Sequence, residues 1–478
     1  MTIAPSPIPS ALRRPAPHPR ARLLALGWAG MLLATGAQAQ VLTFRADGLA
    51  PELQCPRAAA TGAATARPGP SAPAARSPDA ERPPDLAEVQ EALAADGLPP
   101  GPPTDALPLT TPALPLRVAL WGDSHAAANF FSETMAESLG FAGERVAPGF
   151  VPASAGMPGV RLPVGRACVG GQWTRSTAHR AAEGDARFPR SLVTAQTDRS
   201  GSYYWIDFRR SGAGPALRAL DVYYTLPDTR RSAVLGVAVD GGPETIVALD
   251  AGGDGVLQLR PSEALSTLKL RLIVGAVTLE GFAPQYLASP ALVLDTFAVP
   301  GATARGWRMA DAQYVQQRGG DAGYDLVLLE YGTNEGNDPK FDRTAYASDL
   351  RASLRNVRRA YPQAACMLIG PTDRGVLVAR RAAKAPRQGA TAKVDLLRYS
   401  RVHQAIAETQ QSVGREFGCK FWNWQTAMGG PGGAYRWFHQ DPRLMAPDLI
   451  HLTPLGYQAS ARKFASALKL APSGVALR

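Results

Sequence analysis

Leu116-Arg117-Val118-Ala119-Leu120-Trp121-Gly122-Asp123-Ser124-His125 is the stretch on which the fold turns. Its first six residues are mainly apolar and run straight into a Gly-Asp-Ser turn, the content and length of a strand buried on both faces. Beyond the turn, Phe130, Phe131, Met135 and Leu139 fall close to one helical face. Strand, tight turn and helix in this order open an α/β unit, and they put a serine hydroxyl at the carboxyl end of a strand.

The same rhythm returns downstream. Residues 291–299 read as a strand, 303–317 as a helix and 325–331 as a second buried strand. Arg343–Ala360 is an amphipathic helix with Tyr346, Leu350, Leu354 and Val357 on one face. A strand over 367–370, a helix over 394–413 and a strand over 420–424 follow. Thr453-Pro454 then supplies the cap and first position of a last helix over 455–470. Repeated strand–helix units imply a three-layer α/β domain, a parallel sheet with helices on both faces. Between 170 and 290 the pattern changes. Short apolar runs at 203–208, 220–224, Ala233–Val239, 245–248, 256–259 and 268–274 are separated by Gly, Pro, Asp and Ser. This spacing predicts an antiparallel β-sandwich inserted into the α/β domain, which is thereby split into 116–169 and 291–478.

Residues 1–39 have the layout of a secretory signal peptide. Basic residues end at Arg22, an apolar stretch runs from Leu23 to Gly36, and Ala37-Gln38-Ala39 offers a cleavage site. That apolar stretch is shorter than the roughly 18–20 residues of a spanning helix, and no later one qualifies, so no stable membrane span is expected after cleavage. An exported protein, periplasmic or secreted, is the expectation. Residues 40–115 are rich in Ala, Pro, Gly and Arg and read as a mobile tether, with Leu86, Val89 and Leu93 marking only a local helical propensity over 85–95. Export permits disulfides. Cys366 and Cys419 both lie in expected strands of one sheet, where a bridge or two buried thiols would fit; Cys55 and Cys168 pair only by elimination. No Cys-x-x-Cys spacing points to zinc or redox chemistry.

Composition narrows the class further. With 45% hydrophobic and 19% charged residues, the 478-residue chain is too apolar to be mainly disordered, and 47 Gly and 42 Pro fall short of a collagen-like sequence. The net charge of +11 comes from a basic set of 51 residues, 44 of them Arg. No dense basic run with interleaved aromatics occurs, so a scattered basic surface is expected and a nucleic-acid partner is not.

Three separated segments carry the chemistry. Ser124 sits between strand and helix. Gly332-Thr333-Asn334-Glu335 follows the strand that ends at Tyr331. Asp448-Leu449-Ile450-His451 precedes the last helix. A serine needs a base to become a nucleophile, and the base needs a group that fixes its tautomer, so Asp448 and His451 on one loop can serve both ends of that need. In this order, each at a strand end, the three segments resemble the SGNH (GDSL-type) hydrolase superfamily. The resemblance implies Ser124 as nucleophile, His451 as base and Asp448 as its orienting acid. It further implies an oxyanion hole built from the N–H groups of Ser124 and Gly301 and the amide of Asn334. A narrower likeness is to periplasmic peptidoglycan O-acetylesterases, which also show Gly-Asp-Ser-His and Gly-Thr-Asn-Glu and carry a β-sandwich between the first two blocks. The likeness implies a serine esterase that removes O-acetyl groups from a cell-envelope glycan, peptidoglycan first, with no metal or organic cofactor. A polysaccharide O-acetyltransferase using the same triad and an inactive glycan-binding protein remain alternatives.

Other polar and aromatic residues read as structural. His125 is expected to point away from Ser124, and Asp123 to stabilise the turn as an acceptor. His179, His403 and His439 are expected at surface or packing positions, and Trp422 and Trp424 in the core. Glu335 and Asn337 fit either a cleft lining or ordinary loop polarity. Tyr203, Tyr204 and Trp205 offer a sugar-stacking face only as the lesser of two readings.

Overall fold

A computed structural model describes residues 38–44, 81–110, 114–182, 187–209, 216–319, 323–379 and 394–471. Residues 1–37, which hold most of the expected signal peptide, lie outside the described residues.

The opening decapeptide forms β1 (Leu116–Gly122), followed across the Asp123–Ser124 turn by helix α1 (Phe130–Ser138). In chain order there follow β2 (Val146–Ala147), β3 (Leu292–Ala298), β4 (Leu326–Glu330), α2 (Arg343–Ala360), β5 (Ala365–Ile369), α3 (Arg398–Glu416), β6 (Lys420–Trp422) and α4 (Pro454–Ala467). The six strands make one sheet in the order β6-β5-β4-β1-β3-β2, parallel throughout. Alternation along β1 explains the layers. Leu116, Val118 and Leu120 join Phe131 and Met135 of α1 and Tyr457, Ala461 and Phe464 of α4 in one core. Ala119 and Trp121 face the other way, into a second core with Leu350, Leu354 and Val357 of α2 and Ile406 and Val413 of α3. β1 lies where the strand order reverses, and the loops that leave β1, β3, β4 and β5 at their carboxyl ends gather there.

Two further sheets hold the antiparallel strands. One runs Thr245–Leu249, Ala233–Val239, Thr267–Val274, Tyr203–Asp207, Arg166–Gly170. The other is built on Leu217–Thr225 between Asp254–Pro261 and Val277–Tyr286, with Val193–Thr197 and Thr174–Thr177 beyond. Inward residues of both, such as Ile206, Leu235 and Leu270 with Val222, Leu257 and Leu279, share one hydrophobic cluster. Gln38–Phe44 adds a strand parallel to Asp254–Pro261, a pairing that takes in the last two residues of the expected signal peptide. Strand Arg166–Gly170 and a two-residue strand, Val151–Pro152, also join these sheets, so they begin before residue 170.

Several local expectations need correction. The helix expected over 303–317 is broken into Arg305–Arg308 and Ala312–Gln317, because the Asp311 carboxylate caps the second piece through the N–H groups of Gln313 and Tyr314. The last strand stops at Trp422, since Asn423 accepts from the Thr426 N–H and starts a helix that buries Trp424. Tyr204 is fully buried with its hydroxyl on Ala153 O (2.9 Å), so it offers no face to sugar. The expected tether is also ordered over 81–110. Helix Leu86–Asp96 forms and buries Val89 against the Gly433–His439 helix and the α/β core. Residues 99–105 then line the edge strand β6. The carbonyls of Pro99, Pro102 and Pro103 accept from the side chains of Gln404, Asn423 and Gln411, and Asp105 exchanges backbone and side-chain bonds with Phe421. Proline lacks an N–H but keeps a good acceptor, which suits it to cover a sheet edge. Leu107–Thr110 pairs in parallel with Leu468–Ala471. Cys366 and Cys419, on β5 and at the start of β6, are joined by a disulfide, as one of the two readings had it. Cys168 is also disulfide-bonded, but Cys55 lies outside the described residues.

Candidate active site

Burial of β1 on both faces delivers Ser124 to the sheet's carboxyl edge at a fixed position. The turn is closed by Asp123, whose Oδ1 accepts from the His125 N–H (2.9 Å) while its carbonyl receives the N–H groups of Ala126 and Ala127. Ser124 Oγ lies 3.0 Å from His451 Nε2, and His451 Nδ1 lies 2.7 Å from Asp448 Oδ2. The Asp448 Oδ1 accepts from the backbone N–H groups of Ile450 and His451, both at 3.0 Å. This short loop is pinned from both sides: Ala446 N–H donates to His451 O (2.8 Å) and Gly375 N–H to Leu449 O (2.9 Å). Leu449 sits at φ 55°, a left-handed conformation that its fully buried side chain holds in place.

Electrostatics complete the arrangement. Partial burial alone would raise the Asp448 carboxyl. The His451 hydrogen bond and two backbone donors outweigh it and hold Asp448 at about 2. The same hydrogen bond to Asp448 raises His451 above its ordinary value, against the opposing effect of burial. An anionic Asp448 favours the tautomer with the proton on Nδ1, which leaves Nε2 to accept from the Ser124 hydroxyl. A hydroxyl, a base and an orienting acid in this geometry can carry out acyl transfer.

The residues expected to hold an oxyanion come from two neighbouring loops. Gly301, after β3, sits at φ 81°, where a residue with a side chain would be strained. Neither its N–H nor that of Ser124 donates to an acceptor among the described residues. Asn334, after β4, donates its amide to Asp123 Oδ2 (3.1 Å) and Ala302 O (2.9 Å), tying the three loops together. An oxyanion would therefore take one of these two N–H groups from its present acceptor. Glu335 is more than loose loop polarity. Its Oε1 accepts from Ala304 N–H and its Oε2 from Gly332 N–H, both at 3.0 Å, so it clamps the Gly301 and Asn334 loops together, and burial pushes its carboxyl up to about 7.

Several neighbours escaped sequence reasoning. Glu330, the last residue of β4, accepts from the Asp123 N–H (3.0 Å) beneath the serine turn and is almost fully buried. Burial and the Asp123 charge hold its carboxyl well above the ordinary range. Its Oε1 receives no donor, which fits the protonated form. Gly122 leaves room for it: a Cβ there would stand 2.6 Å from Glu330 Oε2. His125 points into the interior, between the Tyr457 hydroxyl (3.2 Å) and Thr372 Oγ1 (3.4 Å), and burial drops it to about 3, so it stays neutral. His403, expected at a surface or packing position, is fully buried with Nδ1 on Thr372 O (2.7 Å). Arg374 stacks on Tyr399 (3.8 Å) next to the pinned Gly375. A glutamate inside an apolar run and an arginine in a loop carry no spacing signal; only tertiary contact reveals them. Among the described residues no three His, Cys, Asp or Glu side chains form a group that could hold a metal.

Residues 275–459 match the GDSL-like Lipase/Acylhydrolase family. A solved peptidoglycan O-acetylesterase, captured in action, aligns at 20% identity over 80% of this chain and 94% of its own, with a TM-score of 0.54. A family two carbohydrate esterase from Clostridium thermocellum, in complex with cellohexaose, aligns at 14% identity over 57% and 93%, TM-score 0.25. An acetyl xylan esterase from the rumen bacterium Butyrivibrio proteoclasticus aligns at 11% over 62% and 97%, TM-score 0.23. No curated protein sequence matches the chain. Over residues 275–459, which hold the Gly301, Asn334 and Asp448–His451 loops, the chain matches the GDSL-like lipase/acylhydrolase family, and its fold is similar to that of the solved peptidoglycan O-acetylesterase.

Proposed function

We propose that the protein is a serine esterase that removes O-acetyl groups from a cell-envelope glycan, peptidoglycan first among them. The observation that carries this reading is the unbroken hydrogen-bonded series from Asp448 through His451 to Ser124 Oγ. In the proposed reaction Ser124 Oγ attacks the acetyl carbonyl carbon while His451 Nε2 takes its proton. The N–H groups of Ser124 and Gly301 and one N–H of Asn334 stabilise the oxyanion. Collapse breaks the ester bond, and the sugar oxygen leaves with the proton from His451. Water, deprotonated by His451, then attacks the acetyl-serine, releases acetate and restores the Ser124 hydroxyl.

Three further readings accompany it. The two antiparallel sheets, sharing one hydrophobic cluster, are taken as a β-sandwich inserted between the Ser124 and Gly301 loops. A role in holding carbohydrate is assigned to that insertion. Export to the periplasm or beyond is favoured by the signal-like residues 1–39 and by the Cys366–Cys419 disulfide.

The test follows acetate release from O-acetylated peptidoglycan and from acetylxylan by the chain from Gln40 onward and by its Ser124→Ala variant. Release from peptidoglycan that Ser124→Ala abolishes, with unfolding behaviour unchanged, is the expected result. Release that survives Ser124→Ala, or no release from peptidoglycan by the parent chain, overturns the reading.

A further inference from the structure

A groove leads away from the oxyanion loop across the antiparallel sheets. Its near end is a cavity of about 470 Å³ bounded by Val299 and Pro300, the two residues before Gly301, and by Arg175, His179 and Arg180 on the facing segment. Its far end is a cavity of about 560 Å³ over Gln172, Trp173, Asp198 and Arg199. Arg175 lines both, so the two cavities adjoin at its side chain. Each alone has the volume of a small-molecule site. Together they suit several units of a chain rather than one acetylated sugar.

The near end is joined to the reacting centre through the backbone. Val299 N–H donates to Gly122 O (3.1 Å), two residues before Ser124, and Arg180 Nη2 stands 3.5 Å from where a Cβ on Gly301 would lie. The lining is built to receive polar groups. Arg175 Nε and His179 Nε2 are buried and lack a hydrogen-bond partner among the described residues. Burial and the neighbouring charges of Arg180 and Arg305 hold His179 at about 4, so its imidazole is neutral at pH 7. The Trp173 ring is fixed in place by its Nε1–H bond to Gly170 O (3.1 Å) and edge-on contact with Tyr204 at 4.7 Å. Charge selects the ligand. Arg175, Arg180 and Arg199 line this groove; Arg175 Nη2 donates to Ala155 O, and Arg199 Nε stands 3.5 Å from Asp198, the one acid among the lining residues.

We propose that this groove is the binding track for an extended, negatively charged glycan strand, along which Arg175, Arg180 and Arg199 meet anionic substituents while an O-acetyl group reaches Ser124. The proposal rests on the esterase reading in placing the reacting ester at Ser124. Guanidinium groups pair with carboxylates through two parallel N–H bonds, and Trp173 adds a surface on which a sugar ring stacks. A neutral glycan would leave Arg180 unmatched and would offer Arg199 nothing to draw it from Asp198.

The test measures equilibrium binding in the Ser124→Ala background, so that no turnover intervenes. The probes are soluble O-acetylated peptidoglycan strands, an O-acetylated polyuronate and neutral acetylxylan. The two anionic polymers are expected to bind at least about tenfold more tightly than acetylxylan, with an affinity that falls as salt rises. Arg180→Glu and Arg199→Glu, both exposed positions, are each expected to weaken anionic binding about tenfold or more while thermal unfolding stays unchanged; Arg199→Gln should weaken it less. Equal affinity for anionic and neutral polymers, no binding to any of them, or charge-reversal variants that bind as the parent does would each overturn the proposal. Failure of the esterase reading would appear separately, as acetate release that persists without the Ser124 hydroxyl.

Discussion

At the residue scale, the base of the proposed reaction is tuned by its partner. His451 must be neutral to accept the Ser124 proton, and its ionised form is favoured by Asp448, so its midpoint stands above the ordinary 6.5. The acid limb of kcat/KM is therefore expected above pH 6.5, with activity falling as pH drops through that midpoint. Asp448→Asn removes the anion, so the limb should move to lower pH while kcat falls by up to about 10⁴-fold through loss of the favoured tautomer; a pH–rate profile of both proteins checks this. The stability sign is separate. The raised His451 contributes below its unfolded value and loses that contribution as pH rises through the folded one. The depressed Asp448 contributes above 3.8 and loses it as pH falls towards about 2. Both side chains are more than a third exposed, so solvent screening keeps either contribution small.

At the element scale, the segment before β1 does more than lead to it. Helix Leu86–Asp96 is closed at its start by the Glu88 carboxylate on the Asp85 N–H (2.8 Å) and at its end by Gly97 at φ 62°. Arg401 of α3 pairs with Asp96 at its end. Val89, 1% exposed, is its buried anchor. Val89→Ala is expected to lower stability by about 2 kcal/mol, from lost apolar burial and the space left behind, read from the denaturant midpoint. No change would mean that the helix rests on the α/β core without contributing to it. The edge strand β6 gains its cover from residues 99–105 in the same region, so the order of 81–110 is a property of contact with β6 and α3 rather than of its own composition.

At the scale of the whole molecule, the antiparallel sheets and the α/β layers are locked through buried polar groups. Arg318, just after the Ala312–Gln317 helix, donates to Glu280 Oε2 (3.0 Å) on strand Val277–Tyr286 and to the carbonyls of Tyr224 and Gly255, both at 3.0 Å. Tyr314 donates its hydroxyl to the other Glu280 oxygen. Trp121 of β1 donates to Arg190 O (2.7 Å), and Arg190 in turn to Arg318 O (3.0 Å). Arg318 and Glu280 are 4% and 1% exposed, so removing one partner strands a buried charge. Arg318→Met is expected to cost about 3–5 kcal/mol and to split a single unfolding transition in two, with Arg318→Met/Glu280→Gln recovering part of the loss. Calorimetry distinguishes these outcomes, and an unchanged single transition would show that the apolar contacts alone couple the two regions.

Local chemistry made much of this protein legible from its residues. Strands buried on both faces must be apolar throughout, so β1 and β4 announce themselves, and the turn that follows each must carry Ser124 and Asn334. The final loop needs Asp448 and His451 three apart for one to reach the other's ring. These features depend on neighbours in the chain, and the order of the three segments pointed to the fold family. What tertiary structure alone decided depends on partners distant in sequence. Glu330 is an interior acid because Asp123, more than 200 residues away, folds onto it, and Glu335 is a clamp because the β3 and β4 loops meet. The Pro-rich stretch is ordered because β6 leaves an edge to cover, and His179 lines a groove because Pro300 stands opposite. Apolar periodicity records how a side chain relates to its own element, whereas a polar side chain takes its role from the group that fills its hydrogen bond, and that group is supplied by the folded chain.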